Sequence, residues 1–258
     1  MRVTVCELSD DEVEFVDDFY KLKVHLKACQ SELLLLPEMP FCKWIASGKI
    51  VDEQVKRQAV AKHEEWIKEI EELRVKYVMY SKPVIEGDRF YNTAYLFEAG
   101  VGHHKIHTKC FFPEEEHFWE ATWFDADPDK AFDVLTVGDF KIGVLLCTEM
   151  WFTEYARHYG KLDIDILFCP RATGKGSVSQ WTRCGQTLSV ISGAYCLSSN
   201  RSGIGDNNFK WGGSGWIAQP MDGALLGVTS PDEKFITREI DLNKSREAKT
   251  EYPLYVKS

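Results

Sequence analysis

Short uninterrupted apolar runs, interleaved with helical patterns, set the tightest limit on how this chain can fold. The clearest is LLLL at residues 33–36. A run of that length with no polar break reads as a strand covered on both faces, which requires layers above and below a sheet. A second run, FKIGVLLC, closes on Cys147 and is followed at once by TEMWFTEYAR, which reads as the opening of a helix. Both runs end on a group able to do chemistry: Glu38 just past the leucines and a proline, and Cys147 at the strand-to-helix turn.

The remaining pattern fills in around these runs. Residues 2–8 read as a strand, and 10–30 as a helix with Val13, Val16, Phe19, Leu22, Leu26 and Cys29 along one side. A second helix at 52–73 carries Val55, Ala59, Trp66, Ile70 and Leu73 on one face, with Glu64 and Lys68 spaced as a supportive pair. Strands are predicted at 76–81, 90–97 and 102–106, and a hairpin joins 132–137 to 140–146 at Gly138-Asp139. A short helix near 152–160, the strand DILFCP, a helix at 178–192 and the strand AYCLSS follow. The last third is strand-rich, with a turn at 220–223. Alternating helices and strands, then consecutive strands, predict an α/β fold: a mixed sheet with helices packed outside, in one domain over residues 1–258.

Composition narrows the function classes. A formal net charge of −9 argues against a nucleic-acid backbone as partner. No run of about 18 apolar residues could span a bilayer. The eight cysteines are scattered with no CxxC pair, as in a reduced, cytoplasmic protein whose thiols are mostly small core hydrophobes. His103, His104 and His107 cluster on a predicted strand, yet no cysteine or acid lies at a zinc-like spacing, so no metal is expected. GKGS at 174–177 lacks the upstream glycine of a phosphate loop, and there is no GxSxG elbow.

Three groups remain as chemistry candidates. A thiol at the tip of a strand-to-helix turn lies near the positive helix end, which favours the thiolate that attacks carbonyl and nitrile carbons. Glu38, directly after four leucines and a proline, is costly to desolvate without a partner. Lys109 exits a third strand, in HHKIHTKCFFP. Each has an ordinary alternative: a core thiol, a loop carboxylate, a solvated lysine.

Taken in order, LLLLPE, HTKCFFPEEEHFWEATWF and GVLLCTEMWFTEYAR resemble the three signatures of the nitrilase, or carbon–nitrogen hydrolase, superfamily. SSNRSGIGDNNFKWGGSGWIAQPMDGALL is similar to the strand pair that follows the active site in that family, so the resemblance spans about residues 2–240. It implies a four-layer α-β-β-α sandwich and a catalytic triad of Glu38, Lys109 and Cys147. A second glutamate is implied before a phenylalanine. Glu120, ahead of Phe124, fits best, although Glu114, Glu115 and Glu116 crowd the same loop. The family's glycine soon after that phenylalanine is replaced here by Asp125-Ala126-Asp127, which leaves the shape of this loop open.

Family nitrilases commonly carry Cys-Trp-Glu; this chain has Cys-Thr-Glu and resembles the amidase and N-carbamoyl-amine hydrolase branches. The resemblance therefore implies cofactor-free hydrolysis of a small linear amide or N-carbamoyl amine, with ammonia released. Nitrile hydrolysis, acyl transfer to an amine and a non-catalytic binding protein are the alternatives. The Thr148 backbone N–H is the natural second oxyanion donor. Glu149 either faces the pocket and favours a cationic substrate or caps the helix at 152–160. Trp151 is a candidate pocket wall, together with Trp119, Trp123, Phe209 and Trp211, although core packing is the more common role for each such aromatic. Loops near 113–131 and 171–181 would set substrate choice. Family members commonly assemble through the helices beside the nucleophile turn, which implies a homodimer or higher homo-oligomer using 152–160 and the tail 251–258.

Overall fold

The computed structural model describes residues 1–256. In chain order its elements are β1 (Arg2–Ser9), α1 (Glu12–Cys29), β2 (Leu33–Leu35), α2 (Glu53–Glu71), β3 (Tyr77–Glu86), β4 (Arg89–Glu98), β5 (Gly102–Thr108), α3 (Glu120–Trp123), β6 (Leu135–Val137), β7 (Phe140–Val144), α4 (Thr153–Lys161), β8 (Ile166–Phe168), α5 (Val178–Ser192), β9 (Tyr195–Ser198), β10 (Asn200–Ser202), β11 (Trp216–Ala218), β12 (Leu225–Val228), β13 (Phe235–Glu239) and α6 (Leu242–Ala248). They form two sheets. One is ordered β10-β1-β2-β3-β4-β5, with β13 also paired to β1; the other is ordered β12-β11-β9-β8-β7-β6.

Strand parity explains the layers. Successive side chains of a strand point to opposite faces. Val3, Val5, Leu33, Leu35 and Met79 of the first sheet meet Ile142, Val144, Ile166, Phe168 and Leu197 of the second in one core. The alternate residues Cys6, Leu8, Leu34, Leu36 and Val78 face Phe15, Phe19, Leu22 and Leu26 of α1 and Ile70 of α2. On the far side, Leu167, Cys169, Cys196 and Trp216 pack against Ala156 and Tyr159 of α4 and Cys184 and Leu188 of α5. The result is a four-layer α-β-β-α sandwich. The leucine run at 33–36 is fully buried because it lies between a helix layer and the second sheet. Burying such a side chain contributes about 1.5–3 kcal/mol, so this segment strongly fixes the register.

Several expectations need correction. In α1 the buried face is Phe15, Phe19, Leu22 and Leu26, whereas Val13 and Val16 are 81% and 55% exposed. Phe15 displaces them because its ring joins Trp66 at 4.9 Å and Phe41 at 6.0 Å, an aromatic contact that valine cannot supply. The strand expected at 132–137 is only Leu135–Val137, since Phe132 turns away to stack on Tyr155 at 3.7 Å. Glu64 pairs with Lys82 across elements rather than with Lys68 along its helix. The three histidines disperse along β5: His103 bonds Tyr80, His104 approaches Glu98 and His107 points inward. Gly185 of α5 sits so close to Trp216 that an added Cβ would lie 2.5 Å from the indole nitrogen. Among the described residues no helix is long and apolar enough to cross a membrane.

The parallel strands aim their carboxyl ends at one edge. β1, β2 and β3 are parallel, as are β7, β8 and β9. β4 reverses and β5 reverses again, so Lys109 leaves β5 at the same end at which Glu38 follows β2. Cys147 follows β7 at the matching end of the second sheet.

Candidate active site

Lys109 lies between two carboxylates. Its Nζ donates to Glu38 Oε1 at 2.8 Å and to Glu120 Oε2 at 2.6 Å, and all three side chains are buried. Burial alone works against the lysine charge, but Glu120 and Glu38 outweigh it and raise the ammonium well above its ordinary range. The Glu120 carboxyl is raised by burial, with Lys109 opposing and Glu38 adding to the rise. Glu120 opens α3 and is fully buried, while Glu114 of the same loop bonds Thr122, and Glu115 and Glu116 are exposed. The departure at 125–127 has a structural use: Asp125 exchanges bonds with Phe90, and Asp127 N–H donates to Lys109 O, which anchors the lysine backbone.

Glu38 has a second donor that sequence reading missed. Asn92 Nδ2 donates to Glu38 Oε1 at 2.8 Å, and the Asn92 carbonyl accepts from Lys109 N–H at 2.9 Å. Glu38 Oε1 therefore accepts twice, whereas the buried Glu38 Oε2 has no hydrogen-bond partner among the described residues. The available signal was a fully buried asparagine inside the strand RFYNTAYLFE, a costly placement unless the amide is used.

Cys147 opens a one-turn 3-10 helix, Cys147–Trp151, with φ at +48°. A non-glycine residue in the left-handed region costs about 1–3 kcal/mol, and such strain clusters at functional turns. Three successive carbonyls after β8 hold this arrangement. Pro170 O accepts from Cys147 N–H at 3.0 Å, Arg171 O accepts from Glu38 N–H at 3.3 Å, and Ala172 O accepts from Cys147 Sγ at 3.8 Å. One segment thus ties the thiol residue to the acid residue across the two sheets. Arg171 stiffens it, donating to Ser198, Thr173 and the Ser214 carbonyl with its guanidinium 3.9 Å from the Trp216 ring centre. The resting thiol differs from the expectation of a favoured thiolate. Burial, with Glu38 and Glu120, raises its pKa well above the ordinary value, against the opposing pull of Lys109 and the Ala172 bond. A single helical turn offers too little dipole to reverse that desolvation.

A cavity of about 70 Å³ reaches Cys147 and Glu120, lined also by Pro113, Phe118, Thr148 and Trp181. Thr148 is the second residue of the one-turn helix, so its N–H has no intrahelical acceptor. Trp151 lies outside this lining, half-exposed and 5.1 Å from Trp181, which takes the wall position instead. Trp119, Trp123, Phe209 and Trp211 belong to an aromatic cluster behind the wall, where Phe209 packs on Gly174. Glu149 is a clear correction. It neither faces the cavity nor caps α4; it is fully buried and bonded to His107, Cys110 N–H and Leu146 N–H. A larger cleft of about 420 Å³ beside α1 also holds a cysteine, Cys42, but its lysine, Lys62, is spent on a solvent-exposed pair with Glu12.

Candidate ligand atoms of His107, Cys110 and Glu149 lie within 4.8 Å of one another. No spacing along the chain signals this grouping, because Glu149 follows a strand of the other sheet. Both histidine nitrogens and both carboxylate oxygens are already hydrogen-bonded, so the group is a polar knot whose donor atoms are occupied.

With this geometry in view, the family model for carbon-nitrogen hydrolase matches residues 17–250, and the chain belongs to that family. The chain is 24% identical over 179 residues to an N-carbamoylputrescine amidase of Solanum tuberosum, covering 64% of this chain and 59% of that protein. It is 25% identical over 225 residues to a citrullinase of Francisella tularensis, covering 78% and 74% of the two. The match thus spans somewhat over half the length of the potato protein. Among solved structures, a carbon-nitrogen hydrolase from Helicobacter pylori superposes with a TM-score of 0.82 at 18% identity, covering 98% of this chain and 94% of that one. An amidase from Nesterenkonia, carrying acrylamide added at its active-site cysteine, gives 0.78 at 16% identity with 96% of both chains covered.

Proposed function

We propose that the protein is a thiol hydrolase that cleaves the C–N bond of a small linear amide or N-carbamoyl amine and releases ammonia. The observation that carries this reading is the buried lysine held between two carboxylates, 2.8 and 2.6 Å away, beside a cysteine on a strained turn. In this reading Cys147 Sγ attacks the carbonyl carbon while Glu38 takes the thiol proton, which avoids forming a free thiolate in a site that penalises it. The unpartnered Glu38 Oε2 is the oxygen free to receive that proton. The Lys109 ammonium and the Thr148 N–H receive the developing oxyanion. Collapse of the tetrahedral adduct breaks the C–N bond, and the proton held by Glu38 passes to the departing nitrogen. Glu38 then deprotonates a water that attacks the thioester; the C–S bond breaks and the sulfur regains a proton. Glu120 holds Lys109 charged and in place. A carbamoyl substrate would yield carbamic acid, which loses carbon dioxide.

The small cavity, about 70 Å³, suits a short linear substrate. Support for the amide branch comes from the Cys-Thr-Glu signature and from the amidase names among the relatives. Ammonia release over a panel of ω-amides, carbamoyl amines and nitriles tests the reading. Release from amides or carbamoyl amines is expected; release from nitriles alone would overturn the branch, and full activity in Cys147→Ala would overturn the chemistry.

We infer a homodimer through α4 and the tail. Leu254 packs over Gly160 and Gly193, and Tyr252 and Tyr255 beside it stay 73% and 61% exposed. The last two residues of the tail, 257 and 258, lie outside the described residues. A sedimentation profile of a monomer at micromolar concentration would refute the dimer. The eight unpaired cysteines favour a reducing, cytoplasmic setting.

A further inference from the structure

We propose that Glu149 and His107 form a positioning pair that fixes where the Cys147 thiol sits relative to the Lys109 ammonium; the proposal rests on the hydrolase reading above. Glu149 Oε2 accepts from Leu146 N–H at 2.8 Å, and Glu149 Oε1 accepts from Cys110 N–H at 2.7 Å. Leu146 is the residue before the thiol and Cys110 the residue after the lysine. One carboxylate is therefore a single peptide removed from both reacting groups. The two peptides belong to different sheets, since Lys109 follows β5 of the first and Cys147 follows β7 of the second. No backbone ladder joins β5 to β7, so this carboxylate acts as a strut between them.

His107 holds the strut from its open side. Its Nδ1 faces Ala131 O at 2.9 Å, a group that can only accept, so Nδ1 carries a proton. Its Nε2 faces Glu149 Oε2 at 2.7 Å, and the pair is fully buried. The same carboxylate also accepts the two backbone N–H groups. An imidazolium donating at both nitrogens satisfies every polar atom in the knot. Glutamine at 149 could not do the same: its amide nitrogen would turn donors toward either Cys110 N–H or the Leu146 and His107 donors. The backbone at one reacting residue would have to shift, and a displacement near 1 Å from a supporting group can cost ~10²-fold in rate.

The test compares wild type, Glu149→Gln and His107→Gln in the full chain. Two readouts are taken on folded protein: steady-state ammonia release, and the pH profile of Cys147 alkylation by iodoacetamide. For Glu149→Gln the expected result is kcat lower by ~10²-fold with KM within about threefold, as for lost transition-state alignment. The alkylation midpoint should also move to higher pH, because Lys109 opposes the rise in the thiol pKa and would be less well placed. His107→Gln, which keeps the carboxylate, should move both readouts in the same direction by less, and it carries the test if Glu149→Gln does not fold. Unchanged kcat and an unchanged alkylation profile in folded variants would overturn the proposal and leave the pair structural only. A raised KM with kcat intact would also overturn it, in favour of substrate contact. If wild type hydrolyses no substrate, the hydrolase reading fails, while the alkylation profiles still decide the positioning role.

Discussion

Removal of the Asn92 amide is the perturbation whose size follows most directly from the structure. Glu38 Oε1 accepts two bonds, from Lys109 and from Asn92, each at 2.8 Å, and both donors are buried. A hydrogen bond to a charged group is worth about 1.5–3 kcal/mol, and its loss leaves the carboxylate held by lysine alone. If that energy is needed to keep Glu38 in line with the thiol, Asn92→Ala should lower kcat/KM by roughly 10- to 150-fold. The substitution spares the Asn92 carbonyl that anchors Lys109 N–H, so the lysine backbone stays in place. Asn92→Asp is the sharper variant. A second carboxylate at the same contact distance repels Glu38, raises one of the pair and should move the acidic limb of the pH–rate profile upward. The assay is ammonia release against pH with the best substrate of the panel, together with thermal unfolding. Full activity in Asn92→Ala with an unchanged profile in Asn92→Asp would refute the idea that Glu38 is oriented for proton transfer.

Other outcomes follow from the same contacts. Lys109→Ala removes the proposed oxyanion donor and the cation shared by Glu38 and Glu120, so at least about 3–4 kcal/mol of transition-state stabilisation should vanish; residual activity above ~1% would count against this role. Gly185→Ala forces a methyl against the Trp216 indole and should destabilise by about 1–3 kcal/mol, measured as a shift in urea midpoint with unchanged slope. His107 is opposed by burial but raised on balance by Glu149 and Ala131 O above an ordinary value of 6.5. A raised histidine stabilises the fold fully below that ordinary value, and the contribution fades as pH climbs through the raised one. Stability scans should therefore show a loss above about pH 6.5 that His107→Gln lacks; identical slopes would contradict a charged pair.

Much of the fold was legible because its strands announce themselves. LLLL at 33–36 and FKIGVLLC end at sheet edges; Glu38 follows the first after one proline, and Cys147 closes the second. Their neighbours in space were not legible. Asn92 lies 54 residues from Glu38, and only strand pairing brings its amide to the carboxylate. Glu149 misled for a related reason. Two places after a candidate nucleophile, it invited a pocket role, yet a short one-turn helix directs it back toward the end of β5, a strand of the other sheet. In α1 the periodicity of Val13 and Val16 was a true helical signal read one face away, because the aromatic contacts of Phe15 with Phe41 and Trp66 decide which side is buried.

Covalent catalysis by Cys147 is tested by intact-protein mass spectrometry on samples acid-quenched during turnover of an amide substrate. One added acyl mass is expected on Cys147, formed as ammonia appears and absent in Cys147→Ala. Turnover with Cys147 unmodified throughout, or an acyl group carried by any other residue, would contradict it.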